Sequence, residues 1–184
     1  MTEEIIIAGF GGQGVLSMGG ILAYAGVMQG KEVTWMPSYG PEMRGGTSNV
    51  TVILSDEMIS SPILNEYDTA IILNQPSLDK FEKMIKKGGT LIYDGNGINR
   101  HPEREDINIY RADAAKAAAS DLKNPKVANM IVLGALLKQN PIILDENIKK
   151  GLEKALPERH HRLIPLNLKA VEKGKEIVKI IREV

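Results

Sequence analysis

The sequence contains no cysteine. Disulfides, thiolate zinc sites, cysteine-held iron–sulfur clusters and a catalytic thiol are therefore excluded from this chain. No apolar run approaches the roughly 18 residues that a membrane-spanning helix needs. The chain starts Met1-Thr2-Glu3-Glu4, without the basic start and longer apolar stretch of a secretory signal. The expectation is a cytoplasmic protein with no membrane partner. Charge of one sign is also lacking: 23 Lys and Arg face 23 Asp and Glu. A general nucleic-acid binder would show a basic surplus, so no nucleic-acid partner is expected. Aromatic residues make up only 4%, so the single tryptophan, Trp35, stands out as an interface anchor or a core residue.

What is present suits an α/β fold. At 184 residues the chain can bury roughly 70% of its unfolded surface without a staple. No linker or repeat divides it, so one α/β domain over 1–184 is expected. Ile5–Ala8 reads as a buried parallel strand and Val15–Gln29 as a helix with Gly30 at its C-terminal end. Glu32–Met36 reads as a strand stopped by Pro37, and Ser38–Gly46 as irregular. Thr47–Leu54 and Thr69–Leu73 follow as strands. Pro76–Lys87 reads as a helix after Asn74 or Gln75, ended by Gly88-Gly89. Thr90–Tyr93 and Ile107–Tyr110 read as strands, with Gly95–Asp106 between them as a loop or lid. Ala112–Leu122, Lys126–Gln139, Asp145–Leu156 (opening on an acidic N-cap) and Leu166–Ile181 read as helices. Alternating strands and helices predict a Rossmann-like open, mostly parallel sheet with helices on both faces and a C-terminal helical segment.

Two segments carry chemistry. Gly9-Phe10-Gly11-Gly12-Gln13-Gly14 matches G-x-G-x-x-G between a strand and a helix. Such glycines let a pyrophosphate approach backbone amides at a helix N-terminus. They equally suit a partner's backbone or close strand–helix packing, and all three readings stand. A nicotinamide dinucleotide would also need an acid at the end of the second strand. That strand ends Thr34-Trp35-Met36-Pro37, with Glu32 at its wrong end. The second segment is Ser38-Tyr39-Gly40-Pro41-Glu42-Met43-Arg44-Gly45-Gly46. Following the second strand, it should emerge beside the glycine turn, where open α/β sheets bind ligands. Arg44 suits forked binding of a phosphate or carboxylate. Glu42 suits holding that arginine or meeting a neighbouring subunit, and an exposed Glu–Arg pair is the plain alternative.

These two motifs, with Asn74-Gln75-Pro76-Ser77 and Val127-Ala128-Asn129-Met130 plus Gly134, resemble the gamma subunit of 2-oxoacid:ferredoxin oxidoreductases. The resemblance spans essentially the whole chain. It implies oxidative decarboxylation of a 2-oxoacid with coenzyme A, giving acyl-CoA, carbon dioxide and reduced ferredoxin. It implies alpha, beta and delta partner subunits, with ferredoxin met through the complex. Thiamine diphosphate, Mg2+ and iron–sulfur clusters belong to those partners, coenzyme A is co-substrate, and this chain alone holds no cofactor or metal. The active-site-facing or cofactor-binding residues so implied are Gly9, Gly11, Gly12, Gln13, Gly14, Ser38, Tyr39, Gly40, Glu42, Arg44, Gly45, Gly46 and Asn129. Asn129, in an otherwise apolar helix, needs a partner: a structural hydrogen bond, the glycine turn or a neighbouring subunit. No general acid, base or nucleophile is assigned, and the isolated chain is expected to be inactive, with homodimerisation through an orphaned surface as one option. The Tyr-Gly-Pro-Glu-Met-Arg form resembles 2-oxoglutarate and branched-chain types, with 2-oxoglutarate favoured over 2-oxoisovalerate and pyruvate. A stand-alone nucleotide-binding oxidoreductase and a coenzyme A-sensing module are the competing readings. His160-His161 reads as a solvated basic turn, and the lysines of 169–179 as the wet face of a helix.

Overall fold

The computed structural model describes residues 1–39 and 46–184, with Tyr39 described by its backbone only. Strands β1 (Thr2–Phe10), β2 (Glu32–Tyr39), β3 (Thr47–Ser55), β4 (Tyr67–Ile72), β5 (Ile85–Asp94), β6 (Asn108–Ala112) and β7 (Lys179–Arg182) form one sheet. Its order is β2-β3-β1-β4-β5-β6-β7. The pairs β1–β4, β4–β5 and β5–β6 are parallel. The pairs β1–β3, β2–β3 and β6–β7 are antiparallel. Five strands thus share one direction, and β3 and β7 oppose them. The sheet is a mixed one with a parallel centre.

The period-two alternation of β1 splits the core. Ile5 and Ile7 join a large cluster with α1 (Val15–Met28), α3 (Ala114–Ser120), α4 (Ala128–Gln139), α5 (Asp145–Ala155) and α6 (Ile164–Ile177). Ile6 and Ala8 point to the other face, where α2 (Gln75–Phe81) supplies Leu78 and Phe81. Helices cover both faces, but unequally. On the heavier face α4 and α6 cross closely. A methyl group at Gly134 would strike the Val171 carbonyl, and one at Gly174 the Ile131 carbonyl. Only glycine lets the two backbones approach this far.

Several boundaries differ from the sequence expectation. β2 continues through Pro37 to Tyr39, because an edge strand tolerates a missing amide. The helix expected over Pro76–Lys87 ends at Phe81, followed by a single 3-10 turn. β5 already begins at Ile85, which pairs with Tyr67, so Gly88 at φ 76° bends a strand. The acidic N-cap expected for α5 is Leu144, with no side-chain cap; Asp145 and Glu146 lie in the first turn instead, facing the positive end of the helix dipole. The final helix stops at Ile177, and Lys179–Arg182 turns back as an edge strand on β6. The C-terminal segment is therefore helix and strand. At α1 the expected C-terminal glycine holds: Gly30 sits at φ 82°, with Lys31 N–H donating to Gly26 O, a Schellman-type closure. Among the described residues no helix is long and apolar enough to cross a membrane.

The segment 95–106 is a strap tied at several points. Asn99 and Arg100 amides donate to Gln75 Oε1 at 2.9 and 2.8 Å. The Glu82 carboxylate accepts the Glu103 and Arg104 amides and the Arg100 guanidinium. Arg104 donates to the Ile85 carbonyl and pairs with Asp106 at 2.6 Å.

Candidate functional site

The carboxyl ends of β1, β4 and β5 define the site end of the sheet. There the glycine turn leaves β1, with Gly12 and Gly14 at φ 100° and 78°. L side chains disfavour that region by about 1–2 kcal/mol, so glycine is required for the chain to enter α1 at this angle. Gln13 staples the turn. Its Oε1 accepts the Phe10 amide at 2.6 Å, and its Nε2 donates to the Leu73 carbonyl at 3.0 Å. The Gln13 amide closes on Phe10 O at 3.1 Å. Three turn amides, those of Phe10, Gly11 and Gln13, are therefore committed within the protein. A phosphate cradle at those positions would have left them open.

The Gly11 amide donates to the carbonyl of Gly46 at 2.9 Å, and Phe10 pairs with Thr47. This ties the glycine turn to the far end of the second motif. The near end, Ser38 and Tyr39, pairs with Asn49 and Ser48 on β3. Both ends of the second motif thus lie at the same end of the sheet as the turn. Gly40, Pro41, Glu42, Met43, Arg44 and Gly45 lie outside the described residues, so the Glu42 and Arg44 expectations do too.

Asn129 comes from the first turn of α4. Its Nδ2 donates to the Gly14 carbonyl at 3.3 Å. Its Oδ1 accepts the Met130 amide at 3.0 Å, so it meets both the glycine turn and a local structural partner. It packs so closely that a methyl group at Gly14 would lie 2.8 Å from its Cγ. Between the turn, β5 and α4 lies a cavity of about 480 Å³, lined by Gly12, Gln13, Gly14, Leu73, Asp94, Lys126 and Asn129 among others.

Asp94 is the residue that sequence reasoning passed over. It is 6% exposed at the end of β5 and accepts the amides of Asn96, Ala114 and Ala115. Burial pushes its carboxyl above the ordinary aspartate value, and the three amides oppose that rise. Its partners show a capping duty. The signal was an acid closing the apolar run Leu91-Ile92-Tyr93. Asn74, quoted in the resemblance, caps α2 by accepting the Ser77 amide at 2.9 Å. Its buried Nδ2 finds no partner among the described residues.

The topology bears on the dinucleotide reading. In a dinucleotide fold the second strand lies beside the first. Here β3 intervenes between β1 and β2, which moves the end of β2 about 10 Å from β1. The acid is missing from β2 and the strand itself is one place too far. His161 Nε2 lies 2.9 Å from the Leu156 carbonyl and His160 meets Arg159, as a local turn would have it. The chain has no cysteine to ligate a cluster, and among the described residues no group of three His, Asp or Glu side chains is placed to hold a metal ion.

Comparison with known proteins agrees with this geometry. Residues 4–177 match the family model described as pyruvate ferredoxin/flavodoxin oxidoreductase. The chain is 35% identical to the 2-oxoglutarate synthase subunit KorC of Methanocaldococcus jannaschii, over 97% of this chain and 95% of that protein. It is 36% identical to the ketoisovalerate oxidoreductase subunit VorA of Methanothermobacter marburgensis, over 94% of this chain but only 36% of that protein. The gamma subunit of a keto/oxoacid ferredoxin oxidoreductase from Geobacter sulfurreducens superposes with a TM-score of 0.80 at 31% identity, covering 95% of this chain and 96% of that one. By its matched residues, and by a fold shared along almost its whole length, the chain belongs to the pyruvate ferredoxin/flavodoxin oxidoreductase family.

Proposed function

We propose that this chain is the gamma subunit of a multi-subunit 2-oxoacid:ferredoxin oxidoreductase that converts 2-oxoglutarate and coenzyme A to an acyl-CoA, carbon dioxide and reduced ferredoxin. The observation that carries the reading is the near full-length match to a 2-oxoglutarate synthase subunit of the same size. The site geometry supports it. The glycine turn and both ends of the Ser38–Gly46 motif converge at one end of the sheet, joined by the Gly11–Gly46 hydrogen bond.

Among its described residues this surface contains no activated nucleophile and no poised acid–base pair. Its role is to shape and close, while chemistry belongs to cofactors in partner chains. Thiamine diphosphate with Mg2+ supplies the carbanion chemistry of decarboxylation there, and iron–sulfur clusters carry the electrons. In this chain Gln13 and Asn129 hold the turn in place, so that Gly11, Gly12 and Gly14 present backbone without side chains, while Gly9, buried in β1, leaves room for Gln13, Leu73 and Val15. Ser38 and Tyr39 at the end of β2 and Gly46 just before β3 flank Gly40, Glu42, Arg44 and Gly45 in sequence; these residues are assigned to the same surface, where Arg44 would meet an anionic group of coenzyme A or substrate. A ketoisovalerate relative of equal identity makes the branched-chain oxoacid the second reading.

The test is a substrate series on the assembled complex, followed by viologen reduction without oxygen. Reduction driven by 2-oxoglutarate ahead of 2-oxoisovalerate and pyruvate supports the assignment. A preference for either of the others overturns the substrate.

A further inference from the structure

Helix α1 runs Val15-Leu-Ser-Met-Gly-Gly-Ile-Leu-Ala-Tyr-Ala-Gly-Val-Met28 without one charged residue. Its inner side packs on the sheet and α5. Its outer side ought to be polar in a surface helix. Instead Tyr24 and Val27 are 47% and 52% exposed, and Trp35 on the neighbouring edge strand β2 is 44% exposed. Between α1 and β2 lies a groove of about 330 Å³, lined by Gly20, Ala23, Tyr24, Val27, Val33 and Trp35. The protein has only eight aromatic residues beyond histidine, one of them tryptophan, and two of the largest flank this groove. Contiguous exposed apolar surface with aromatic flanks marks an interaction face.

The occupant follows from the relatives. In VorA of M. marburgensis the matching segment is 36% of the chain, so there the same fold is tethered to a much longer remainder. In the KorC relative the match takes up 95% of the protein, so that remainder is not part of it. We propose that the α1–β2 groove seats an uncharged, apolar face of the polypeptide corresponding to that remainder, with one aliphatic or aromatic side chain entering between Tyr24 and Trp35. A second copy of this chain fits less well. A two-fold contact needs a self-complementary patch, and a concave groove offers no matching knob. The location adds a consequence. β2 passes from Trp35 to Tyr39 in four residues, about 13 Å of extended chain, and its last two residues, Ser38 and Tyr39, open the second motif. A partner seated on Trp35 therefore lies close to the start of the second motif. This inference rests on the subunit reading given under Proposed function.

The experiment places a photoreactive benzoylphenylalanine at Val27, or at the exposed Lys169 of α6 as control, in the tagged chain within its native complex. Irradiation at Val27 should yield an adduct whose peptides match the VorA remainder, and irradiation at Lys169 should not. Val27→Lys should reduce the co-purified partner about tenfold or more, since a charge in a desolvated apolar contact is strongly unfavourable. Its melting temperature should be unchanged, because the position is half exposed. An intact, active complex with no Val27 adduct overturns the groove while leaving the subunit reading in place. An adduct only with a second copy overturns the choice of occupant. An unaltered tagged chain recovered without partner or activity overturns both.

Discussion

Replacing Gly14 by alanine tests the geometry of the glycine turn at its tightest point. Gly14 sits at φ 78° and ψ 20°, which disfavours an L side chain by about 1–2 kcal/mol. The new methyl would also crowd Asn129, whose Cγ would be 2.8 Å away. Overpacking of that kind costs about 1–3 kcal/mol. Displacing Asn129 would remove its hydrogen bond to Gly14, about 1 kcal/mol more. The expected loss is about 4 kcal/mol, and at 2–4 °C per kcal/mol for a chain of this size the melting temperature should fall by roughly 8–16 °C. Asn129→Ala alone should cost only about 1–2 kcal/mol, since the Gly14 carbonyl keeps the Met18 amide at 2.9 Å. In the double variant the collision is gone while the backbone strain remains. It should therefore cost about 3 kcal/mol, less than Gly14→Ala by itself. Calorimetry of the four proteins reads this directly. Additive losses, or a neutral Gly14→Ala, would refute the contact and the strain as described.

Arg44→Ala should lower turnover of the assembled complex while leaving folding and subunit recovery intact; unchanged turnover removes the anion-clamp role. Glu82→Ala should cost about 3 kcal/mol, from buried charge-assisted hydrogen bonds, and should raise amide exchange across 100–104; unaltered exchange would mean that the strap is held elsewhere. Glu3 is buried and accepts the Thr69 hydroxyl at 2.6 Å, and burial pushes its pKa above the ordinary glutamate value. The folded state then holds a proton that the unfolded chain has lost, so this group's contribution falls as pH rises between the unfolded and folded pKa values. Glu3→Gln should gain stability relative to the unaltered chain as pH rises from the unfolded through the folded pKa of Glu3, read from urea midpoints, and a difference constant with pH would contradict the burial effect.

Much of the centre of the fold was legible because local pattern and tertiary role coincide there. Ile5–Ala8, Thr69–Leu73 and Thr90–Tyr93 are short apolar runs bounded by turn residues, and they occupy the parallel centre. The glycine turn was legible because only glycine suits its dihedrals. The edges were not. Ile177, Ile180 and Ile181 fit a helical period as well as a strand, and pairing with β6 decides between them. Leu78, Phe81 and Ile85 likewise continue a helical stripe, yet Ile85 pairs with Tyr67. The insertion of β3 between β1 and β2 is a tertiary choice with no local signature. At the site, the family resemblance pointed to Gln13 and Asn129, but the stapling of Leu73 and of the Gly14 carbonyl depends on where β4 and α4 dock. Asp94 escaped notice because a capping acid 20 residues before the helix it caps leaves no motif.

The central claim is that this chain works as a non-catalytic gamma subunit. Its most direct test is recovery of the tagged chain from its native cells without oxygen, with mass identification of what accompanies it and a viologen assay on the eluate. Cysteine-rich and thiamine-binding chains should appear in the eluate, with viologen reduction dependent on 2-oxoglutarate and coenzyme A. A chain that emerges alone, with no 2-oxoacid-dependent reduction, would contradict it.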